Sequence, residues 1–261
     1  MCHHISPCSV TTYLSGLVNQ LQPYFPEIKI ARQSRIVRQT LQGCYKMLAQ
    51  PTKRKCALTP SDIKLVLWHY EHLSQHDDLL FLSLFLTTFF TLLCLGELVF
   101  PDDHFVQDWH KITRRSSVQV LDNSYSFVLP AHKADRLFDS SHILVCGENF
   151  SFPTLFHFRR YLASRDALFP LASPLWLTST GSVPTCSFFI RCLRFFFPSD
   201  IAGQSLQAGG ATMLADLGIS PHIIQATGRW SSEAFRIYIR KNPFLLHNLL
   251  FAQSPSHTVA S

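Results

Sequence analysis

Apolar residues recur at helical spacing through the first fifty positions. Val10, Leu14, Leu17 and Leu21 share one face of a helix that Pro23 and Pro26 break. Ile30 to Leu48 predicts a second helix, with Arg32, Arg35 and Arg38 on a common side. Thr59-Pro60-Ser61-Asp62 combines an N-cap, a proline at the first helical position and an acid at the third. A helix therefore starts there and runs to about Leu73. Leu79 to Gly96 then carries no charge and is mostly Leu, Phe and Thr. Its length reaches that of a membrane-spanning helix. Its flanks are acidic (Asp77, Asp78, Glu97) where a span is usually bordered by Lys and Arg. Ser83, Thr87 and Thr91 place hydroxyls on one face at every fourth residue. A buried core helix is the expectation, and a membrane span the alternative.

The period then drops to two. Ser117 to Leu121 and Tyr125 to Leu129 flank Asp122-Asn123-Ser124, a hairpin turn, and His142 to Val145 makes a third strand. Helical spacing returns from Pro153 to about Leu168, with Arg159, Arg160 and Arg165. Leu175-Trp176-Leu177-Thr178 reads as a short extended piece, and Val183 to Phe197 as a helix bearing Arg191 and Arg194. Ser205 is placed to cap a further helix whose apolar face is Leu206, Ala211, Leu214 and Leu217. Gly218 ends it, and Ser220-Pro221 starts a short helix with Ile223 and Ile224. Gly228 ends that one, and Trp230-Ser231-Ser232 opens a third with Tyr238 near its end. Gly209 and Gly210 stand mid-helix, where alanine is more stable by about 1 kcal/mol each. Some group is expected to approach that backbone closely, and helix packing is the plain account.

The chain has 261 residues, enough for one large domain or one and a half. It is 47% hydrophobic and 15% charged, with 22 Phe, which supports a sizeable core. The net charge of +6 fits a polyanionic partner without proving one. Eight scattered Cys without a signal peptide read as reduced thiols in a cytosolic or nuclear protein. Cys2, His3, His4 and Cys8 match no familiar zinc spacing, so no metal or cofactor is expected. Gln50 to Cys56 reads as a linker, and its Lys53, Arg54 and Lys55 suit a phosphate backbone.

Five stretches carry a more specific signal. Gln204-x-x-Gln207 opens the glycine-bearing helix, Gly228-Arg229-Trp230 follows about two dozen residues later, and Tyr238 lies eight beyond Trp230. Upstream, Leu93-Cys94-Leu95-Gly96-Glu97-Leu98 and Leu129-Pro130-Ala131-His132-Lys133-Ala134-Asp135 complete the pattern. Together these resemble the signature of tyrosine recombinases, the DNA breaking and rejoining enzymes that include phage-type integrases. The wording Ala-Gly-Gly-Ala-Thr, Gly-Arg-Trp-Ser-Ser and Tyr-Ile-Arg is most similar to recombinases of fungal mobile elements of the Crypton and DIRS-like kinds. The resemblance spans roughly Ala57 to Phe251.

It implies a fold that is α+β and mostly α: a helical catalytic domain with a small antiparallel sheet of about three strands. The implied division is a partial helical core-binding segment over residues 1–55, a catalytic-like domain over 56–252 and a disordered tail over 253–261. The resemblance also implies roles. Tyr238 would attack a phosphodiester, Lys133 would protonate the leaving oxygen, and Trp230 would support the phosphate. The family places a His where Gln204 stands, and phosphate-clamping Arg where Cys94 and Gln207 stand. Gln donates a neutral hydrogen bond but brings no charge and no fork, and a thiol brings less. Losing one oxyanion donor costs on the order of 10²–10³ in rate, so catalysis is expected to be impaired. The implied partner is double-stranded DNA, contacted through Lys53, Arg54, Lys55 and Arg229, with a homo-oligomer on that DNA, no membrane and a nuclear location. The alternatives are an active recombinase with unusual residues, such as Arg229 or Arg236 moving in, and a helical membrane or structural protein whose similarity is by chance.

Overall fold

The computed structural model describes the backbone of residues 5–48, 55–130, 141–146, 148–149 and 152–230. Lys53, Arg54, Lys133, Arg236, Tyr238 and the tail from Gln253 lie outside the described residues, as do Cys2, His3 and His4. The chain divides into two compact units, residues 1–54 and 55–261.

The uncharged run forms the centre of the second unit. Helix α5 (His76–Thr91) follows α4 (Pro60–Tyr70), and Leu80, Phe81, Leu82, Leu84, Phe85 and Phe89 are fully buried. The hydroxyl stripe is buried too, and each of its members has a partner inside the protein. Ser83 donates to the His157 carbonyl at 3.2 Å, Thr91 donates to the Thr87 carbonyl at 2.6 Å, and Thr87 shares a 2.8 Å bond with the Tyr125 hydroxyl. Among the described residues no helix is long and apolar enough to cross a membrane. Thr59 caps α4 in the predicted box. Its hydroxyl accepts from the Asp62 amide at 3.3 Å, and Asp62 accepts from the Thr59 amide at 2.7 Å.

Against α5 lies a three-stranded antiparallel sheet, β1 (Gln119–Val120), β2 (Ser124–Leu129) and β3 (Ser141–Cys146), in that order. The register pairs Tyr125 with Val145 and Phe127 with Ile143, so the alternating buried side chains of both strands face the core. Tyr125 stacks on Phe158 with ring centroids 3.8 Å apart. Phe158 belongs to α6 (Thr154–Leu168), which is followed by α7 (Cys186–Phe196), α8 (Gly203–Asp216) and α9 (Pro221–Thr227).

Several expectations need correction. Arg115–Ser117 is a 3-10 turn, so the first strand begins two residues later than its alternation suggested. A second antiparallel pair, β4 (Glu148–Asn149) with β5 (Phe152–Pro153), was not foreseen. The short extended piece at 175–178 is tied by its start to the segment at 113–115, through the bridge of Arg114 with Pro174 and the Leu175 amide donating to the Thr113 carbonyl at 2.8 Å, and Leu175, Trp176 and Leu177 are buried. Thr185 caps α7, so that helix starts after the proline rather than at Val183. α8 begins at Gly203, and Ser205 stands inside its first turn, accepting from the Ala202 amide at 3.0 Å. Leu217 is half exposed; the buried side of α8 runs through Leu206, Gly209, Gly210 and Ala211.

The first unit contains α1 (Pro7–Leu21), α2 (Ile28–Gln33) and α3 (Arg35–Leu48). The single helix expected from Ile30 is two, because Ser34 adopts an extended ψ of 152°. Arg32 and the pair Arg35 and Arg38 therefore lie on different helices. Val10 is buried, while Ile30, Ile36 and Met47 are exposed.

His157 on α6 offers a pH test of the core. It is 5% exposed, and its Nδ1 has no partner among the described residues. Burial, then Arg160, pushes its pKa from 6.5 down to about 4. Between those values the unfolded chain holds a proton that the folded chain does not, so stability falls as pH drops through this window. The expected loss is about 2–3 kcal/mol. Chemical denaturation at pH 7 and pH 4 should show it, and His157→Gln should remove that part of the pH dependence.

Candidate functional site

α5 ends in a backbone irregularity that shapes everything after it. Leu92 has φ 54°, in the left-handed region that leucine rarely adopts. The turn frees the Leu92 carbonyl and aims the chain into Cys94, which opens a 3-10 turn over Leu95–Glu97. The Glu97 carboxylate then reaches back to accept from the Cys94 amide at 2.7 Å. The spacing of three is that of a capping box, but with Cys in place of the usual Ser or Thr at the cap, so the sequence did not announce it.

The first turns of α8 come against this bend. Gln207 is 7% exposed, and its Nε2 donates to the Leu92 carbonyl at 2.9 Å and to Cys94 Sγ at 3.5 Å. The two positions where the signature wants arginine are thus brought together across the fold. Gln204 lies on the same helix one turn earlier and is exposed. Gly203 and Leu95 fit closely, since a Cβ on Gly203 would stand 3.0 Å from Leu95. The glycine pair Gly209 and Gly210 faces protein: its neighbours are the Leu58 and Phe89 carbonyls and the Phe89 and Leu92 side chains. The close approach expected at those glycines is helix packing.

The third contribution comes from the end of α9. Gly228 has an ordinary helical φ of −77°, and the left-handed residue is Arg229, at 53°. That reversal turns the Arg229 guanidinium to Glu97, with Nη2 3.4 Å from Oε2, while Nη1 donates to the Thr227 carbonyl at 3.2 Å. Trp230 follows, half-buried, and packs on the cluster of Leu92, Ala211, Ala215 and Ile224. Gly228 has to be glycine for that ring to fit, because a Cβ there would meet it at 2.6 Å. The Trp230 amide donates to the Gln225 carbonyl at 3.2 Å, and the Gln225 side-chain amide donates back at 3.1 Å.

Cys94, Gln207, Glu97, Arg229 and Trp230 therefore gather around the Leu92 bend. The group holds a neutral amide, a carboxylate, a thiol and a guanidinium, of which the amide is bonded to Leu92 and Cys94 and the guanidinium to Glu97 and Thr227. No set of three or more metal-ligating side chains occurs among the described residues. Lys55 is exposed and donates to the Ser199 carbonyl at 2.6 Å. The sequence pattern named Glu97 only as part of a motif and passed over Leu92. Nothing local marks a leucine for a left-handed turn, and the acid three residues after Cys94 lacks the usual Ser or Thr at the cap.

No model of a known protein family matches the chain, and no curated protein matches it. Solved structures do. A crystal structure of XerA recombinase superposes with a TM-score of 0.56 at 14% identity, covering 96% of this chain and 84% of that one. XerH site-specific recombinase bound to a palindromic difH substrate, in a post-cleavage complex, gives 0.55 at 14% identity, covering 95% and 72%. The pre-cleavage XerH complex with difH gives 0.54 at 14% identity, covering 96% and 71%. At this identity the likeness is one of fold, and the chain has the fold of the tyrosine-recombinase catalytic domain.

Proposed function

We propose that this chain is a DNA-binding protein of the recombinase and integrase type, derived from a mobile element and impaired in catalysis. The observation that carries the reading is the meeting of Cys94 and Gln207 at the Leu92 bend. In the signature these are the two arginine positions, and in this fold they come within bonding distance although 113 residues apart in sequence. The pairing supports Cys94 and Gln207 as replacements for a phosphate clamp. Gln207 already spends its amide on Leu92 and Cys94, so little remains for a phosphate oxygen.

In this reading Tyr238 keeps the position of the nucleophile, Lys133 that of the general acid and Trp230 that of the phosphate support. Lys53, Arg54 and Lys55 carry non-specific contacts to the DNA backbone. The XerH complexes that share this fold hold a difH substrate, and double-stranded DNA is the partner proposed here, bound by a homo-oligomer in the nucleus. No metal or cofactor takes part. The second reading, an enzyme active through unusual residues, is favoured by the Arg229 guanidinium beside the same bend.

Duplex binding should be weak, poor in sequence preference and steeply dependent on salt. Three phosphate contacts predict about a 40-fold loss of affinity when salt is raised fourfold. Fluorescence anisotropy of a labelled duplex over a salt series measures the slope, and an affinity indifferent to salt would contradict the proposal. Incubation with a nicked suicide duplex, followed by denaturing electrophoresis, separates the two readings. A covalent protein–DNA species from the parent chain would establish the active alternative.

A further inference from the structure

Among the described residues only Leu92 and Arg229 combine a side chain with a left-handed φ, and both belong to the same cluster. Such backbone positions persist where surrounding contacts hold them, and they gather at ligand sites. At Arg229 the contacts that hold it are incomplete. The guanidinium side chain is 16% exposed, and it meets Glu97 at 3.4 Å, longer than the roughly 2.7–2.9 Å of a strong charged bond. Its Nε is buried and finds no acceptor among the described residues. Glu97 is shared, because the same Oε2 that faces Arg229 accepts from the Cys94 amide at 2.7 Å. A guanidinium offers a two-pronged fork, and here the carboxylate engages it through a single long contact.

We infer that Arg229 is the phosphate-binding group of this cluster, and that Glu97 holds its guanidinium until a phosphate oxygen takes the place of the carboxylate. The inference rests on the DNA-binding reading for the identity of the ligand, a phosphodiester, but not for the anion chemistry itself. The incoming oxygens would take the unsatisfied Nε edge and the Nη2 edge together. Because one Oε2 serves both groups, the guanidinium is the group that moves off it, and Oε2 keeps its bond to the Cys94 amide, so the bend at Leu92 is undisturbed. The exchange supplies one positive charge next to the two positions from which the signature's arginines are missing.

Two variants test this. Glu97→Gln keeps an acceptor for the Cys94 amide and removes the competing charge. Arg229→Gly removes the guanidinium, and glycine adopts φ 53° without strain; Arg229→Asn, which also tolerates that backbone, repeats the measurement should the glycine variant unfold. Each is titrated with inorganic phosphate, followed by thermal unfolding, and with a labelled duplex, followed by anisotropy. Glu97→Gln should bind both more tightly than the parent. Arg229→Gly should lose the phosphate-induced rise in Tm, weaken duplex binding about tenfold and lower the salt slope by about one. If phosphate behaves so while no variant binds duplex, the anion site stands and the DNA reading fails. If Arg229→Gly responds to phosphate like the parent, or Glu97→Gln responds less than the parent, the inference is overturned.

Discussion

Gly210→Ala is expected to destabilise the catalytic-like unit by about 3 kcal/mol or more, with Gly209→Ala close behind. In an exposed helix the same change would stabilise by about 1 kcal/mol, so the sign is reversed by packing alone. A Cβ on Gly210 would press on the Phe89 carbonyl and stand 2.6 Å from Leu92 Cδ2; on Gly209 it would press on the Leu58 carbonyl and stand 2.9 Å from the Phe89 ring. The Phe89 carbonyl is fixed within helix α5 and the Leu58 carbonyl lies in the buried segment that leads into α4, so α8 must separate from α5 in the first case and from that segment in the second. Gly210 has the further consequence of displacing Leu92, whose carbonyl holds Gln207. Urea unfolding followed by circular dichroism measures both changes. Gly43→Ala on α3 is the control: a Cβ there meets nothing within 4 Å, so it should be neutral or slightly stabilising.

The sequence made α5 legible because two independent patterns agreed. The absence of charge pointed to burial, and the repeat of Ser83, Thr87 and Thr91 favoured a core helix over a membrane span, which stood as the alternative. The Thr59 and Asp62 box and the hairpin through Asp122 to Ser124 were equally readable, since each is decided by residues three or four apart. Ser34 was passed over although serine is a favoured helix N-cap: its extended ψ and its hydroxyl, which accepts from the Val37 amide at 3.5 Å, end α2 and start α3. The glycine pair announced a close approach without naming the partner, which lies more than a hundred residues upstream. Cys94 and Gln207 could be paired only through the resemblance to a family signature. Local spacing carries no information about two residues 113 positions apart, one after the end of α5 and one on α8. Arg229 was named as a DNA contact, but its tie to Glu97 needs the reversal of chain direction at φ 53°, and an arginine gives no warning of that.

If Cys94 and Gln207 replace lost arginines, restoring both should raise covalent attachment of Tyr238 to DNA by about 10² or more above the parent. The geometry favours the double change over either single one. An arginine at 207 would start from a buried position on α8 and would need the space where the Gln207 amide now meets Cys94 Sγ. An arginine at 94 would stand beside Glu97, whose carboxylate already borders that residue and could orient the new guanidinium. One fork alone leaves part of the charge that develops at phosphorus uncompensated, so Cys94→Arg and Gln207→Arg should each fall short. The assay is the nicked suicide duplex, with attachment read as a shifted band after denaturation. Tyr238→Phe in the double variant should abolish that band. Supplying a complete core-binding clamp in the same reaction removes weak DNA binding as an explanation for a negative result. If the double variant then binds the duplex and never becomes attached, Cys94 and Gln207 are not the missing clamp, or the site has decayed beyond them.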